Sequence, residues 1–358
     1  MLLSVSRTSR TPVFPLLLLI IVVVPGACSK SPETILLSGS TMGTTYSVKL
    51  VRPKHATEVL QHAIDARLEA VNAQMSTWRP DSEITRFNAS LEDDWFGVSS
   101  DFQRVTERAL QLGRLTDGAL DITVMPLVDL WGFGPAFNGD ALPEQAAVEA
   151  DLSRVGLDRI ETRADGPGVR KSDPNTTIDL SAIAKGFGVD AVSEVLAELG
   201  YHNFLVEIGG EVRARGHRPD GTAWRVAVER PVTGQRTVEL VIPIVDSAIA
   251  TSGDYRNFFE MDGRRYSHVI DPRTGWPPDN GVASVTVVAA DAMTADGLAT
   301  GMMVMGSDSG MALAEREGIA VLFILRRDDE FETRMSLSLI HISEPTRPAP
   351  LSRMPSSA

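Results

Sequence analysis

The segment from 251 to 275 carries side chains that could bind phosphate and move a proton. The run Thr-Ser-Gly-Asp-Tyr-Arg-Asn at 251–257 joins a small hydroxylated turn to Arg256, which could hold phosphate oxygens. In the run at 267–275, His268 and Asp271 lie close together near a Pro-Gly turn. A histidine placed in this way can act as a general base or orient a nucleophile. The same pattern also fits a structural histidine that packs in the turn.

A second group combines a carboxylate with a hydroxyl. Asp296 and Thr300 are four residues apart, so a helix would present them on one face. Carboxylate and hydroxyl oxygens suit a hard cation such as Mg²⁺. The alternative is a helix with an aspartate near its start and a threonine bonded back to its own backbone.

A lysine follows the predicted junction of a strand and a helix. Asp179 ends the strand, and Lys185 lies in the first turns of the helix. Helix N-termini collect anions, and a lysine there adds a positive charge. The glycine spacing is not that of a Walker phosphate-binding loop. The alternative is a capped amphipathic helix with a solvated lysine.

Three earlier segments could contact a flat or polar ligand. The glycine in the run 40–46 would allow close approach to the backbone, although a Ser/Thr-rich strand is the alternative. Trp78 could stack on a ring, or it could be a core residue. Asp121 could accept hydrogen bonds from a heterocycle or a ribose, or it could stabilise a turn.

The predicted helices and strands that carry these residues indicate an α+β fold in a single compact domain. Helical spacing covers 58–75, 102–115, 147–155, 182–199 and 291–304, whereas strand patterns cover 35–51, 203–208, 223–229, 237–245, 284–289 and 320–325. Helices and strands interleave without a regular repeat, which favours α+β over a barrel or a solenoid.

The N-terminus carries a predicted export and lipidation signal. Positive charge, the apolar run 13–24 and small residues precede Cys28, the single cysteine among 358 residues. We predict that 1–27 is a lipoprotein signal peptide, that Cys28 is lipidated and that 28–33 is a tether. A plain secretory signal or an uncleaved anchor is the alternative. The net charge of −13 argues against nucleic acid as a partner.

The C-terminal segment has an unusual sequence. Residues 337–347 read LSLIHISEPTR, which resembles the translation of a sequencing-library adapter. We therefore predict that 34–335 is the functional domain and that 336–358 is a non-native tail, in which His341 has no function. A natural disordered tail is the alternative.

Taken in order, the motifs resemble those of the FAD:protein FMN transferase family, often called ApbE. They are Met-Gly-Thr, Gly-Ala-Leu-Asp, Asp-Leu-Ser-x-x-Ala-Lys-Gly, Thr-Ser-Gly-x-Tyr-Arg-Asn, Ser-His-x-Ile-Asp-Pro-x-Thr-Gly and Ala-Asp-x-x-x-Thr. The resemblance extends from about 37 to 325, so it covers nearly all of the predicted mature chain.

This resemblance implies roles for individual residues. His268 would be the base or orienting residue, with Asp271 as its candidate partner. Mg²⁺ would be held by Asp296, Thr300 and the backbone carbonyl of Ala182. The implied FAD contacts are Met42, Trp78, Ala119, Leu120, Asp121, Asp179, Lys185 and Ile270. Many relatives have tyrosine at the position of Trp78, and either ring can stack.

The resemblance also implies a reaction and a location. A Thr or Ser hydroxyl of an acceptor protein would attack the FMN-side phosphorus of FAD, and AMP would leave. The implied acceptors are flavin-carrying subunits of membrane redox complexes. The enzyme would be lipid-anchored on the periplasmic side of a bacterial cell envelope. Two alternatives are an FAD pyrophosphatase, in which water replaces the acceptor, and a non-catalytic flavin-binding lipoprotein.

Overall fold

The fold is built on antiparallel strands in the computed structural model, which describes residues 33–135, 142–232, 237–255, 257–261, 263–327 and 330–343. The strands are β1 (Thr34–Thr41), β2 (Thr44–Val51), β3 (Phe96–Gly97), β4 (Ile160–Thr162), β5 (Gly168–Lys171), β6 (Phe204–Ile208), β7 (Glu211–Arg215), β8 (Trp224–Glu229), β9 (Val238–Ile244), β10 (Ser247–Gly253), β11 (Phe258–Met261), β12 (Arg264–Ser267), β13 (Val282–Ala289), β14 (Ala320–Arg327) and β15 (Glu330–Met335).

Eight strands form the main sheet in the order β1-β2-β6-β7-β10-β13-β14-β15, and each neighbouring pair is antiparallel. The inner strands β13 and β14 are buried along most of their length and consist largely of apolar residues. Both faces of the sheet are therefore covered at these two strands, since a strand with one solvent-exposed face would alternate apolar and polar residues. Smaller sheets join β3-β5-β4, β8-β9 and β11-β12.

The helices of the described part are α1 (Thr57–Met75), α2 (Glu83–Ala89), α3 (Ser100–Leu115), α4 (Met125–Leu130), α5 (Gln145–Leu152), α6 (Ser181–Glu198), α7 (Ala292–Met305), α8 (Ser307–Glu317) and α9 (Leu337–Ser343). Side-chain caps define several starts. Ser82 accepts a hydrogen bond from the Thr85 amide, and Ser99 accepts one from the Phe102 amide. Such caps satisfy amide groups that have no partner inside the helix.

The buried helices α6 and α7 pack closely against each other. At Gly186 of α6, an added Cβ would lie only 2.3 Å from the Ala292 carbonyl oxygen of α7, so this position needs glycine. One turn later, the buried carboxylate of Asp190 accepts hydrogen bonds from the amides of Ala292 and Met293, at 3.0 and 2.9 Å. Arg213 of β7 contacts the same carboxylate at 2.6 Å. The start of α7 is thus fixed to α6 and to the sheet.

The predicted α+β fold is confirmed, and most predicted elements lie within a few residues of the observed ones. The segment 35–51 is a hairpin instead of one strand, because Met42 and Gly43 both have positive φ values, 49° and 69°. The predicted strand patterns missed β3, β4, β5, β7, β10, β11, β12 and β15. The prediction that a strand ends at Asp179 is wrong, because residues 176–180 before α6 have no regular secondary structure.

The structure describes the C-terminal segment as far as residue 343. α9 lies within the predicted non-native tail, and its Leu339 is fully buried in the apolar cluster that includes Ile242 and Leu322. The non-native origin of this segment stays a prediction. Several predicted features lie outside the described residues: the tail from 344, Arg256, and residues 1–32, which include Cys28. Within the described part, no helix has the length and apolar character needed to cross a membrane.

Candidate active site

Two adjoining cavities, each of about 420 Å³, gather most of the predicted site residues. The first cavity is lined by a group that includes Trp78, Ala119, Leu120, Asp121, Asp179, Ala182, Lys185, His268, Ile270, Asp296 and Thr300. The second cavity contains Met42 and shares Trp78, Ser181 and Lys185 with the first. Each volume is in the range of ligand pockets, and together they could hold an extended molecule.

The N-terminus of α6 is fixed at the wall of the first cavity. Asp179 accepts hydrogen bonds from the Ser181 amide at 2.8 Å and from its hydroxyl at 2.6 Å. Burial raises the pKa of Asp179. The side chain of Asn88 donates to the Ile178 carbonyl and accepts from the Ile178 amide, both at 2.8 Å. These contacts order the chain just before the helix that carries Lys185.

A charged group lies where the two cavities meet. The Lys185 ammonium is 2.5 Å from Glu211 Oε1 and 3.8 Å from Asp296 Oδ1. Both carboxylates are at most 5% exposed. Burial raises the pKa of Asp296 to about 7, and the nearby Glu211 charge acts in the same direction. Two buried carboxylates against one ammonium leave the group short of positive charge, which favours binding of a cation.

Glu211 was not among the site residues predicted from the sequence. Its Oε2 has no hydrogen-bond partner among the residues that the structure describes, although the residue is only 2% exposed. It follows two glycines, Gly209 and Gly210, which have positive φ values of 63° and 115°. A Gly-Gly-Glu run after a strand was a signal for a tight turn that ends in a buried acid.

The residues proposed for a metal site are close to one another. Asp296 Oδ2 accepts a hydrogen bond from the Gly186 amide at 2.9 Å. Ala182, one turn before Gly186, lines the first cavity, and its carbonyl oxygen has two lone pairs, so it can accept a contact besides a helical hydrogen bond. Thr300 Oγ1 lies 2.9 Å from the hydroxyl oxygen of Ser252. The donors are carboxylate, carbonyl and hydroxyl oxygens, which suit Mg²⁺.

No group of three or more His, Cys, Asp or Glu side chains suited to a metal occurs in the described ranges. A cation at Asp296 would therefore need hydroxyl and carbonyl oxygens and atoms of its ligand or water. Mg²⁺ tolerates such a set, because it commonly binds one or two carboxylates together with substrate phosphates and water.

His268 lines the first cavity in a form suited to accept a proton. Its Nδ1 is 3.0 Å from the Asn257 carbonyl oxygen, so Nδ1 carries the proton and donates it there. Nε2 is then the acceptor of the neutral ring. Burial lowers the pKa of His268, and the Lys185 charge acts in the same direction. The ring is therefore neutral near pH 7.

Asp271 has a different environment. Its carboxylate accepts hydrogen bonds from Arg273 Nε, Nη2 and backbone amide, each at 2.9 Å. Its amide donates to the Trp276 carbonyl at 2.9 Å. Asp271 does not line either cavity. Among the residues that the structure describes, the Asp271 carboxylate is thus paired with Arg273 in the turn after His268 and makes no hydrogen bond to His268.

The positions of Trp78 and Asp121 bear on the alternatives that the sequence left open for each. Trp78 is 68% exposed at the junction of the cavities, so it is not a core residue. Asp121 both lines the cavity and caps the short 3-10 helix Ile122–Val124, because its Oδ1 accepts hydrogen bonds from the Thr123 amide and hydroxyl. Burial raises the pKa of Asp121.

These features define a class of site. An ammonium, a helix N-terminus, buried carboxylates and a neutral histidine surround a cavity with an exposed aromatic ring, which suits group transfer on a phosphorylated ligand with a flat ring. Comparison with known proteins identifies the family. Residues 42–323 match the model of the ApbE family.

The relatives cover almost the same length. The chain is 49% identical over 313 residues to a Vibrio cholerae protein named FAD:protein FMN transferase, covering 87% of this chain and 93% of the relative. It is 44% identical over 325 residues to a Haemophilus influenzae protein of the same name, covering 89% and 94%. The solved flavin transferase ApbE from Vibrio cholerae superposes with a TM-score of 0.81 at 47% identity, covering 87% of this chain and 99% of that structure. The chain belongs to the ApbE family, as its motifs indicated.

Proposed function

We propose that the protein transfers FMN from FAD to a Thr or Ser hydroxyl of another protein. The observation that carries the proposal is that Lys185, Asp296 and neutral His268 line one cavity. The names of the relatives support FAD as the donor and a protein as the acceptor.

The residues of the chain would divide the binding of FAD between them. Trp78 would stack on a ring at the junction of the cavities, where it is exposed. Lys185 and the N-terminus of α6 would attract the pyrophosphate. Asp121 and Asp179, on the wall of the first cavity, would accept hydrogen bonds from the flavin or the ribityl chain. Ala119, Leu120, Ile270 and Met42 would supply apolar contacts.

The proposed transfer is a single substitution at phosphorus. The acceptor oxygen forms a bond to the FMN-side phosphorus, and the bond from that phosphorus to the bridging oxygen breaks. AMP leaves with the electron pair of that bond. The hydroxyl proton goes to Nε2 of His268, which is free to accept because Nδ1 donates to Asn257.

Asp296, Thr300 and the Ala182 carbonyl would hold Mg²⁺, which when bound would neutralise charge on the pyrophosphate. The deficit of positive charge around Asp296 and Glu211 supports this assignment. Asp271 is assigned to the turn that follows His268, because its carboxylate pairs with Arg273.

The acceptors and the location belong to the same proposal. We propose flavin-carrying subunits of membrane redox complexes as acceptors, and Cys28 as a lipid attachment point on the periplasmic side of the envelope. Support comes from the sequence before Cys28 alone. Labelling with radioactive palmitate tests the anchor, because Cys28→Ser should lose the label and equal label in both proteins would contradict it.

An FAD pyrophosphatase is the second candidate, since water could occupy the place of the hydroxyl. Release of AMP separates the two reactions. The purified protein is incubated with FAD and Mg²⁺, with and without a flavin-carrying acceptor domain. A transferase releases AMP only with the acceptor and in equal amount to the flavin attached, whereas a pyrophosphatase releases AMP and free FMN without it.

A further inference from the structure

Glu211 contacts the ammonium of Lys185, which also lies near Asp296. It is the first residue of β7, and its side chain is 3% exposed. The backbone turn before it encloses the carboxylate, since a Cβ added at Gly209 would lie 3.4 Å from Glu211 Oε2. The carboxylate is therefore confined beside the first cavity, whose lining includes Glu211.

The two carboxylates compete for one ammonium. The Lys185 ammonium makes a direct contact with Glu211 at 2.5 Å, whereas its 3.8 Å separation from Asp296 Oδ1 is longer than a hydrogen bond. Asp296 Oδ2 already accepts the Gly186 amide. Oδ1 is thus the oxygen that Lys185 would cover if the ammonium moved towards Asp296.

We propose that Glu211 is a positioning residue that keeps Lys185 from closing on Asp296. Oδ1 of Asp296 then stays accessible to a divalent cation, and the ammonium stays directed towards an anionic ligand. The inference rests on the cation site at Asp296 in the proposed function. It assigns Glu211 no contact with the reacting atoms.

A purely structural ion pair between Glu211 and Lys185 makes different predictions. Its loss would lower the stability of the protein and leave cation binding unchanged. If Glu211 and Lys185 acted on the cation only through long-range electrostatics, the effects of removing each charge on cation affinity would add. Positioning predicts that the effect of Lys185 on cation binding depends on whether Glu211 is present.

The test measures the affinity of the protein for Mn²⁺ alone by electron paramagnetic resonance, without FAD. Glu211→Gln should weaken binding about 10–100-fold, as is common when a group that orients a metal ligand is lost. Lys185→Met should improve Mn²⁺ affinity more in the Glu211→Gln protein than in the wild type. Unchanged affinity in Glu211→Gln, or additive effects within about twofold, would overturn the proposal.

Controls separate this inference from the site on which it rests. Glu83→Gln changes another buried glutamate, whose carboxylate accepts bonds from Ser99 outside the cavities, and it should leave Mn²⁺ affinity unchanged. Asp296→Ala should abolish the binding, and binding that survives would reject the cation site itself. If Glu211→Gln does not fold, Glu211→Asp is measured instead. It should bind Mn²⁺ more weakly than the wild type, but by less than the change expected for Glu211→Gln. Wild-type affinity in Glu211→Asp would overturn the proposal.

Discussion

Replacement of Gly186 by alanine tests whether the contact between α6 and α7 positions Asp296. The new Cβ would lie 2.3 Å from the Ala292 carbonyl oxygen and 2.8 Å from Asp296 Cβ. Ordinary contacts begin at 3.4 Å, so the helices must separate by about 1.1 Å (3.4 − 2.3) at this point. Because the first of these neighbours is backbone, no side-chain rotation can relieve it.

The expected loss is larger in rate than in stability. Overpacking costs about 1–3 kcal/mol, but alanine is favoured over glycine in a helix by about 1 kcal/mol. The net loss of stability is therefore at most about 2 kcal/mol. A shift of about 1 Å in a group that positions the substrate can cost about 100-fold in rate. The bond from the Gly186 amide to Asp296 would also lengthen from 2.9 Å.

The assay compares the rate of acceptor flavinylation at saturating FAD with the free energy of unfolding in denaturant. Gly188→Ala is the matched control in the same helix, because its new Cβ would meet the flexible end of Met42 at 2.8 Å. This variant should keep a rate within a few-fold of wild type. A wild-type rate in folded Gly186→Ala would refute the argument that this contact places Asp296.

Three further predictions concern the cavity. Trp78→Ala should weaken FAD binding, measured by fluorescence quenching, by about 1–3 kcal/mol without lowering stability, because the ring is 68% exposed; unchanged affinity would remove it from the site. His268→Ala should slow transfer at saturating FAD about 10²–10⁴-fold and barely change FAD affinity, and the reverse pattern would make the histidine structural. Asp296→Asn should make the metal-free protein more stable at pH 8, by up to about 4 kcal/mol, because the folded-state pKa is raised from 3.8 to about 7. The stability that this carboxyl contributes is present below its unfolded pKa and is lost as pH rises through about 7. The difference in the free energy of unfolding between Asp296→Asn and the wild type, measured with denaturant, should therefore be smaller at pH 5 than at pH 8. Equal stability of the wild type and Asp296→Asn at pH 8 would contradict the inference that the buried Asp296 carboxylate lacks sufficient neighbouring positive charge.

The sequence predicted the elements with strong local signals. The helix ending at Met75 and the helix before Thr116 have regular apolar spacing, and both were located within two residues. The motifs also contain many of the residues that line the first cavity, since Lys185, His268 and Asp296 each stand in a distinctive run.

Contacts between distant segments could not be read from local patterns. Glu211 binds Lys185 across 26 residues, and Gly186 meets α7 across more than 100. Neither separation leaves a periodic signal. The pairing of Asp271 with Arg273 is local, but the sequence alone did not decide whether this carboxylate faced the histidine or the arginine.

The mass of an acceptor protein shows whether FMN is transferred to it. An acceptor domain that does not yet carry flavin is incubated with FAD, Mg²⁺ and this protein. The intact mass of the domain and the modified peptide are then measured. We expect the mass to rise by one FMN less one water at a Thr or Ser, and we expect Asp296→Ala to abolish the change. An acceptor of unchanged mass, with FAD converted to free FMN and AMP, would contradict this expectation.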